Sequence, residues 1–212
     1  MTEDKWRVCS NPQEILDYHR VKKDPRRLRL LAVACVRFAL PADPWAAGII
    51  DVIERYADGA ASRAEFLTAR KEVRLADRKA HRHIGLLGRY RGLTDDAMEG
   101  LTGAIEDARR VSKKAGKLAE CGLVRCVFGN PFRPATFDPA WRTPTAVALA
   151  RGIYADRAFD RMPILADALM DAGCNDTEIL GHCRTGEPHA RGCWVIDGLL
   201  PPEDIAHLLA TE

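Results

Sequence analysis

Asp24-Pro-Arg-Arg-Leu-Arg-Leu-Leu-Ala-Val-Ala-Cys-Val-Arg-Phe-Ala-Leu40 decides the fold class. The Asp24 carboxylate can accept from the free N–H groups of a helix's first turn, and Pro25 suits the first helical position, where its missing N–H costs nothing. From Leu30 onward the segment is apolar nearly all round, through Val33, Ala34, Val36 and Phe38. A helix without a polar face belongs at the centre of a helical assembly, and Cys35 within it reads as a small core residue.

The same start signal recurs at Asn11-Pro12, Asp43-Pro44 and Thr143-Pro144. No segment alternates apolar and polar residues over a strand's length with β-branched enrichment. The expectation is an all-α protein, a helical bundle of two packed helical parts with a long antiparallel helical hairpin in the middle.

Ser62-Arg-Ala-Glu65 has the form of a capping box and opens the first arm of that hairpin, running to about Tyr90. On a helix, Phe66, Ala69, Val73, Ala76, Ala80, Ile84 and Leu87 fall on one stripe. The second arm, capped by Thr94, carries Leu101, Ile105, Ala108, Val111, Ala115 and Leu118 in the same register, so the two arms pair across Arg91-Gly-Leu-Thr94. Gly122 and the turn from Phe128 to Pro134 close this unit. The resulting division is an N-terminal helical part with the basic hairpin over 1–127, a proline- and aromatic-rich connector over 128–143, and a C-terminal helical part with a Cys/His cluster over 144–212. Phe128, Phe132, Phe137 and Trp141 make the connector a poor solvent-exposed linker, so it packs on one of the halves.

Composition sets the outer bounds. At 212 residues, with 47% hydrophobic and 29% charged residues, the chain has ordinary globular proportions and can bury a sizeable core. The net charge of +2 conceals an asymmetry: residues 1–125 carry 25 Lys+Arg against 18 Asp+Glu, and residues 126–212 carry 7 against 12. The first half either faces a polyanion or attracts the second, and its modest excess favours the attraction. With neither a basic leader nor a long apolar run, the chain reads as cytoplasmic with no membrane partner. Seven cysteines, an odd number in no compact framework, read as reduced thiols.

Groups capable of chemistry concentrate between Pro163 and Leu200, spaced Cys174-x7-His182-Cys183-x5-His189-x3-Cys193. Cys174, His182, His189 and Cys193 offer two sulfurs and two imidazoles, a possible tetrahedral zinc set, although no C-x2-C knuckle accompanies them. The same cysteines can instead fill space, Cys174 after a helix-ending Gly173 and Cys193 at the start of an apolar helix. An enzymatic reading pairs Cys183 or Cys193 with His189 as thiolate and imidazole, without an assignable third residue or oxyanion motif.

A second candidate surface is cationic: Lys71, Arg74, Arg78, Arg82 and Arg89 on the first arm, joined by Arg109, Arg110, Lys113, Lys114 and Lys117. Such a face can contact phosphates of a nucleic acid. It can equally stay solvated or dock on Asp156, Asp160, Asp167 and Asp171. No recognition-helix, ribonucleoprotein or finger pattern supports base reading.

Six quoted blocks carry a resemblance: "MTEDKWRVCSNPQEIL", "LRLLAVACVRF", "VIERYADG", "VFGNPFRP", "FDPAWRTPTAVALARGIYADRAFDRMPILADALMDAGCNDTEILGHCR" and "PHARGCWVIDGLL". Together they resemble a large family of uncharacterised proteins abundant in planctomycete genomes, most specifically over Phe128 to Leu200. The arginine-rich middle, about 68–116, lies outside the resemblance. The family implies no activity, and its C-terminal block resembles one that accompanies other domains, which implies an adaptor module. Where the family pattern reads G-P-G-P-H, this chain has Thr185-Gly-Glu-Pro-His189, and the family often has an aliphatic residue in place of Cys183. The expectation is therefore a non-catalytic helical interaction or adaptor module with a protein partner. The alternatives are a nucleic-acid binder working through the basic hairpin and a zinc- or thiol-dependent enzyme centred on the Cys/His cluster.

Overall fold

A computed structural model describes residues 1–18, 24–39, 44–76, 96–97, 99–104 and 116–210. The described residues are helical with no strand among them. In order they form α1 (Glu3–Val8), α2 (Pro12–Tyr18), α3 (Pro25–Ala39), α4 (Pro44–Ala57), α5 (Arg63–Ala76), α6 (99–104), α7 (Lys117–Phe128), α8 (Pro144–Asp156), α9 (Met162–Asp171), α10 (Thr177–Arg184), α11 (Trp194–Leu199) and α12 (Pro202–Ala210). None is long and apolar enough to cross a membrane.

Local chemistry explains the starts. Asp24 Oδ1 accepts from Arg27 N at 3.0 Å, and Thr143 Oγ1 accepts from Ala146 N at 3.3 Å. The capping box is reciprocal: Ser62 N donates to Glu65 Oε2 at 2.8 Å and Glu65 N donates to Ser62 Oγ at 3.2 Å. Gly59, at φ +77, takes the left-handed conformation after α4.

α3 packs against α4 and α7, and Leu30, Leu31, Val33 and Cys35 are buried, as a central helix requires. Phe38 differs from the rest of that apolar run and is exposed, at the end where the helix leaves the core.

Of the residues on the expected stripes, Phe66, Ala69 and Val73 are buried on α5 and Leu101 is buried on α6. Their long continuation, including Ala80, Ile84, Leu87, Ile105, Ala108, Val111, Ala115 and the Arg91–Thr94 turn, lies outside the described residues. Two boundaries are corrected. Gly116 is extended (φ −75, ψ 149) and starts a separate α7, so Leu118 does not continue the helix of Leu101 without a break. Gly122 lies inside α7 rather than ending it, and a Cβ there would stand 3.1 Å from Glu187 Oε2 and 3.3 Å from Pro188 Cδ. The bare glycine admits the loop after α10.

Two apolar clusters result. One gathers Ile15, Leu31, Ile53, Phe66, Leu101 and Val124 from α2 to α7 and takes in Ala190 from the distant loop. The other gathers Tyr154, Met162, Leu165, Ile179 and Ile196 from α8 to α11 and takes in Cys126 from α7. α7 thus serves both clusters. The connector packs inward: Phe137 lies edge-on to Trp194 at 6.0 Å, and its ring fills the space a Cβ on Gly198 would need.

A polar seam joins the clusters. Arg26 donates to Asp58 at 2.8 Å and to Asp197 at 2.6 Å, and Tyr154 OH donates to Asp58 at 2.7 Å. Buried Glu54 accepts from Arg37 at 3.0 Å, Arg157 at 3.1 Å and Arg191 at 3.2 Å. The halves do attract, yet not as two blocks of opposite sign, since arginines of the C-terminal half reach an acid of the N-terminal one. Of the acids expected to receive the basic face, Asp167 accepts from Arg184 of its own half at 2.7 Å, and Asp156, Asp160 and Asp171 are exposed.

Candidate metal centre

Three segments carry the centre. α7 places Cys126 one residue beyond Arg125, whose Nη2 donates to Trp6 O and Cys9 O at 3.0 and 2.7 Å and so fixes the helix's rotation. Asp176 caps α10 by accepting from Glu178 N and Ile179 N, and this short helix carries His182 in its last turn. The loop that follows brings in His189 and then Cys193, the residue before α11.

That loop is held at several points. Arg191, buried, donates to Tyr154 O at 3.0 Å and to Ala155 O at 2.8 Å. Gly192 has φ +83, and a Cβ on it would stand 2.9 Å from Leu30 Cδ1, so the turn into Cys193 is pressed against the central helix. Trp194 rests on Gly129, where a Cβ would come within 3.2 Å of the indole.

Cys126, His182, His189 and Cys193 offer four ligand atoms that all lie within 4.8 Å of one another, and the group can hold a metal ion. His182 Nε2 is 3.2 Å from Cys193 Sγ, and His189 Nδ1 is 3.6 Å from Cys126 Sγ. The two imidazoles meet edge to face at 4.8 Å. Zinc–sulfur bonds of about 2.3 Å and zinc–nitrogen bonds of about 2.0 Å set ligand atoms roughly 3.3 to 3.8 Å apart in a tetrahedron. The two sulfur–nitrogen contacts have that size, and a spread of up to 4.8 Å has to close by about 1 Å around an ion. Among the described residues buried His189 Nε2 has no hydrogen-bond partner, an arrangement that costs free energy unless another group meets it.

The two sulfurs stand in different electrostatic surroundings. Burial pushes the Cys126 thiol well up, and its hydrogen bond to Cys193 adds to that. Burial also opposes a thiolate at Cys193, but hydrogen bonding from Cys126, the His182 charge and hydrogen bonds from both histidines outweigh it and hold Cys193 well below the usual thiol range. Cys193 is thus the sulfur more disposed to be an anion, and a cation bound by all four groups requires both thiols and both imidazoles without their ligand-site protons.

Three of the four expected ligands are brought together, and Cys126 stands where Cys174 was expected. Cys174 closes α9, its N–H donating to Leu169 O at 2.9 Å, and burial raises its thiol. Its place is the apolar interior, outside the ligand group. Cys183 points into the same core, where burial raises its thiol as well. Of the expected thiol–imidazole pairings, Cys193 with His189 is present, but His182 Nε2 also meets Cys193 at 3.2 Å and His189 Nδ1 also meets Cys126 at 3.6 Å, whereas Cys183 lies in the apolar core.

Cys126 had no motif around it. It sits in an apolar run far in sequence from both histidines, between the expected break at Gly122 and the turn that begins at Phe128. The nearest signal was its position just ahead of Phe128, where the resemblance is most specific.

Of the cationic residues, Lys71 on α5 and Lys117 at the start of α7 are exposed, and Arg74 lies on α5. Arg78, Arg82, Arg89, Arg109, Arg110, Lys113 and Lys114 lie outside the described residues.

No protein family, curated protein or solved structure matches the chain.

Proposed function

We propose that Cys126, His182, His189 and Cys193 hold one zinc ion, and that the protein is a zinc-clamped, non-catalytic helical interaction module of the cytoplasm with a protein partner. Membership of the family it resembles is part of the same proposal. The observation that carries the reading is the convergence of two sulfurs and two imidazoles within 4.8 Å, drawn from three separate segments.

Two nitrogens and two thiolates in a tetrahedron suit zinc among the common divalent ions. Four protein ligands fill that tetrahedron and leave no position for water or substrate, the arrangement of structural rather than catalytic sites. Both sulfurs are also fully buried, out of reach of a bulky substrate. The ion would tie α7 to the end of α10 and the start of α11, completing a bundle of two packed parts. Stability supplied by metal in this way lets a short, loop-rich block present a fixed surface.

The test is hydrogen exchange before and after removal of metal by a strong chelator. The reading expects protection to fall most over residues 177–199 and around Cys126, and least over α3 and α4. Exchange unchanged by the chelator would overturn it.

A further inference from the structure

We infer that this zinc centre is an oxidation-labile clamp, in which hydrogen peroxide joins the Cys126 and Cys193 ligands as a disulfide and expels the ion. The inference rests on the zinc reading above.

Three observations carry it. Cys126 and Cys193 supply both sulfurs of the ligand group, within 4.8 Å of each other, so removing them as thiolates removes half the ligands at once. Both stand at element ends, Cys126 in the last turn of α7 and Cys193 just before α11, where small shifts close a sulfur pair toward the bond length of about 2.05 Å. The centre also borders a cleft through one of its histidines. His182 and Trp194 line an open cleft of about 280 Å³, and the far nitrogen of that histidine stands 3.2 Å from Cys193 Sγ. Both sulfurs are buried, so the oxidant that acts on them has to be small, as hydrogen peroxide is.

The chemistry balances without any further reactant. The Cys193 sulfur attacks one peroxide oxygen: an S–O bond forms, the O–O bond breaks and hydroxide leaves. The Cys126 sulfur then attacks the Cys193 sulfur: the S–S bond forms, the S–O bond breaks and a second hydroxide leaves. Two thiolates lose two electrons, peroxide gains them, and zinc departs with its charge unchanged. The remaining pair of imidazoles is half the usual set for a structural site.

The experiment treats zinc-loaded protein with hydrogen peroxide, follows released zinc with a chromogenic chelator and maps linked peptides by mass spectrometry. Met170, exposed on α9, serves as an internal gauge of oxidation through its sulfoxide. The expected result is zinc release in step with the loss of two thiols, a Cys126–Cys193 linkage, and recovery of the site with a dithiol reductant and added zinc. A Cys183→Ser variant should behave the same way. Zinc retained while Met170 is oxidised would overturn the inference and leave the zinc reading intact. Release with Cys193 as sulfinic acid, or with a linkage to Cys183, would also overturn it. Protein that takes up no zinc would overturn the zinc reading itself, and this inference with it.

Discussion

Cys126 Sγ lies 3.6 Å from His189 Nδ1, across 63 positions of sequence. That contact joins a helix serving both apolar clusters to the loop that turns into α11. The Cys/His group thus draws its members from segments far apart in sequence. The loop is therefore fixed from two sides, by the polar seam through Arg191 and by the sulfurs and imidazoles at its other end.

Gly198 is where the connector is locked to α11. A Cβ there would stand 2.2 Å from Phe137 Cε2, a distance real contacts do not reach. Gly198→Ala should cost about 1 to 3 kcal/mol through forced repacking, read as a lower midpoint in urea unfolding. Gly152→Ala on α8 meets nothing within 4 Å and should stabilise by up to about 1 kcal/mol through helix propensity. Equal effects of the two substitutions would contradict the packing described.

Glu54 holds three arginines at once, with its side chain 4% exposed. Glu54→Ala leaves those cations facing one another in a desolvated seam and should cost about 3 to 5 kcal/mol. Arg55→Ala, whose partners Asp51 and Glu65 are at the surface, should cost about 1 kcal/mol or less. Chemical denaturation of both variants checks the contrast.

Glu65 supplies a pH signature. The backbone N–H of Ser62, then its hydroxyl, hold the Glu65 carboxyl below its usual value of 4.5. A carboxyl depressed in the fold contributes stability that is present above its unfolded pKa and lost as pH falls through the folded one. The contribution of the capping box should thus persist at neutral pH and disappear below 4.5. NMR titration should place the Glu65 midpoint below that value, and Ser62→Ala should move it upward. An unchanged midpoint in the variant would contradict the assignment.

Much of the fold was legible because helix starts are local. Asp24, Thr143 and the Ser62–Glu65 pair sit beside the N–H groups they satisfy, so their sequence neighbours suffice to identify them. Three ligands were legible for a similar reason, since His182, His189 and Cys193 fall on consecutive short elements. Cys126 was not, because nothing near it in sequence distinguishes a ligand from a small core residue. Only the rotation of α7, set by Arg125 on the backbone of α1 and its C-terminal neighbour, turns it toward the histidines. Cys174 misled for the converse reason: it is near the cluster in sequence, yet the close of α9 buries it among apolar neighbours. The seam through Glu54 was equally hidden, because it pairs residues of both signs from both halves.

Elemental mass spectrometry on protein purified without a histidine tag tests the central claim most directly, with Cys126→Ser and Cys174→Ser measured beside the parent. The account predicts about one zinc per chain in the parent and in Cys174→Ser, and none in Cys126→Ser. Zinc kept by Cys126→Ser and lost from Cys174→Ser, or a folded parent that neither carries nor takes up zinc, would contradict it.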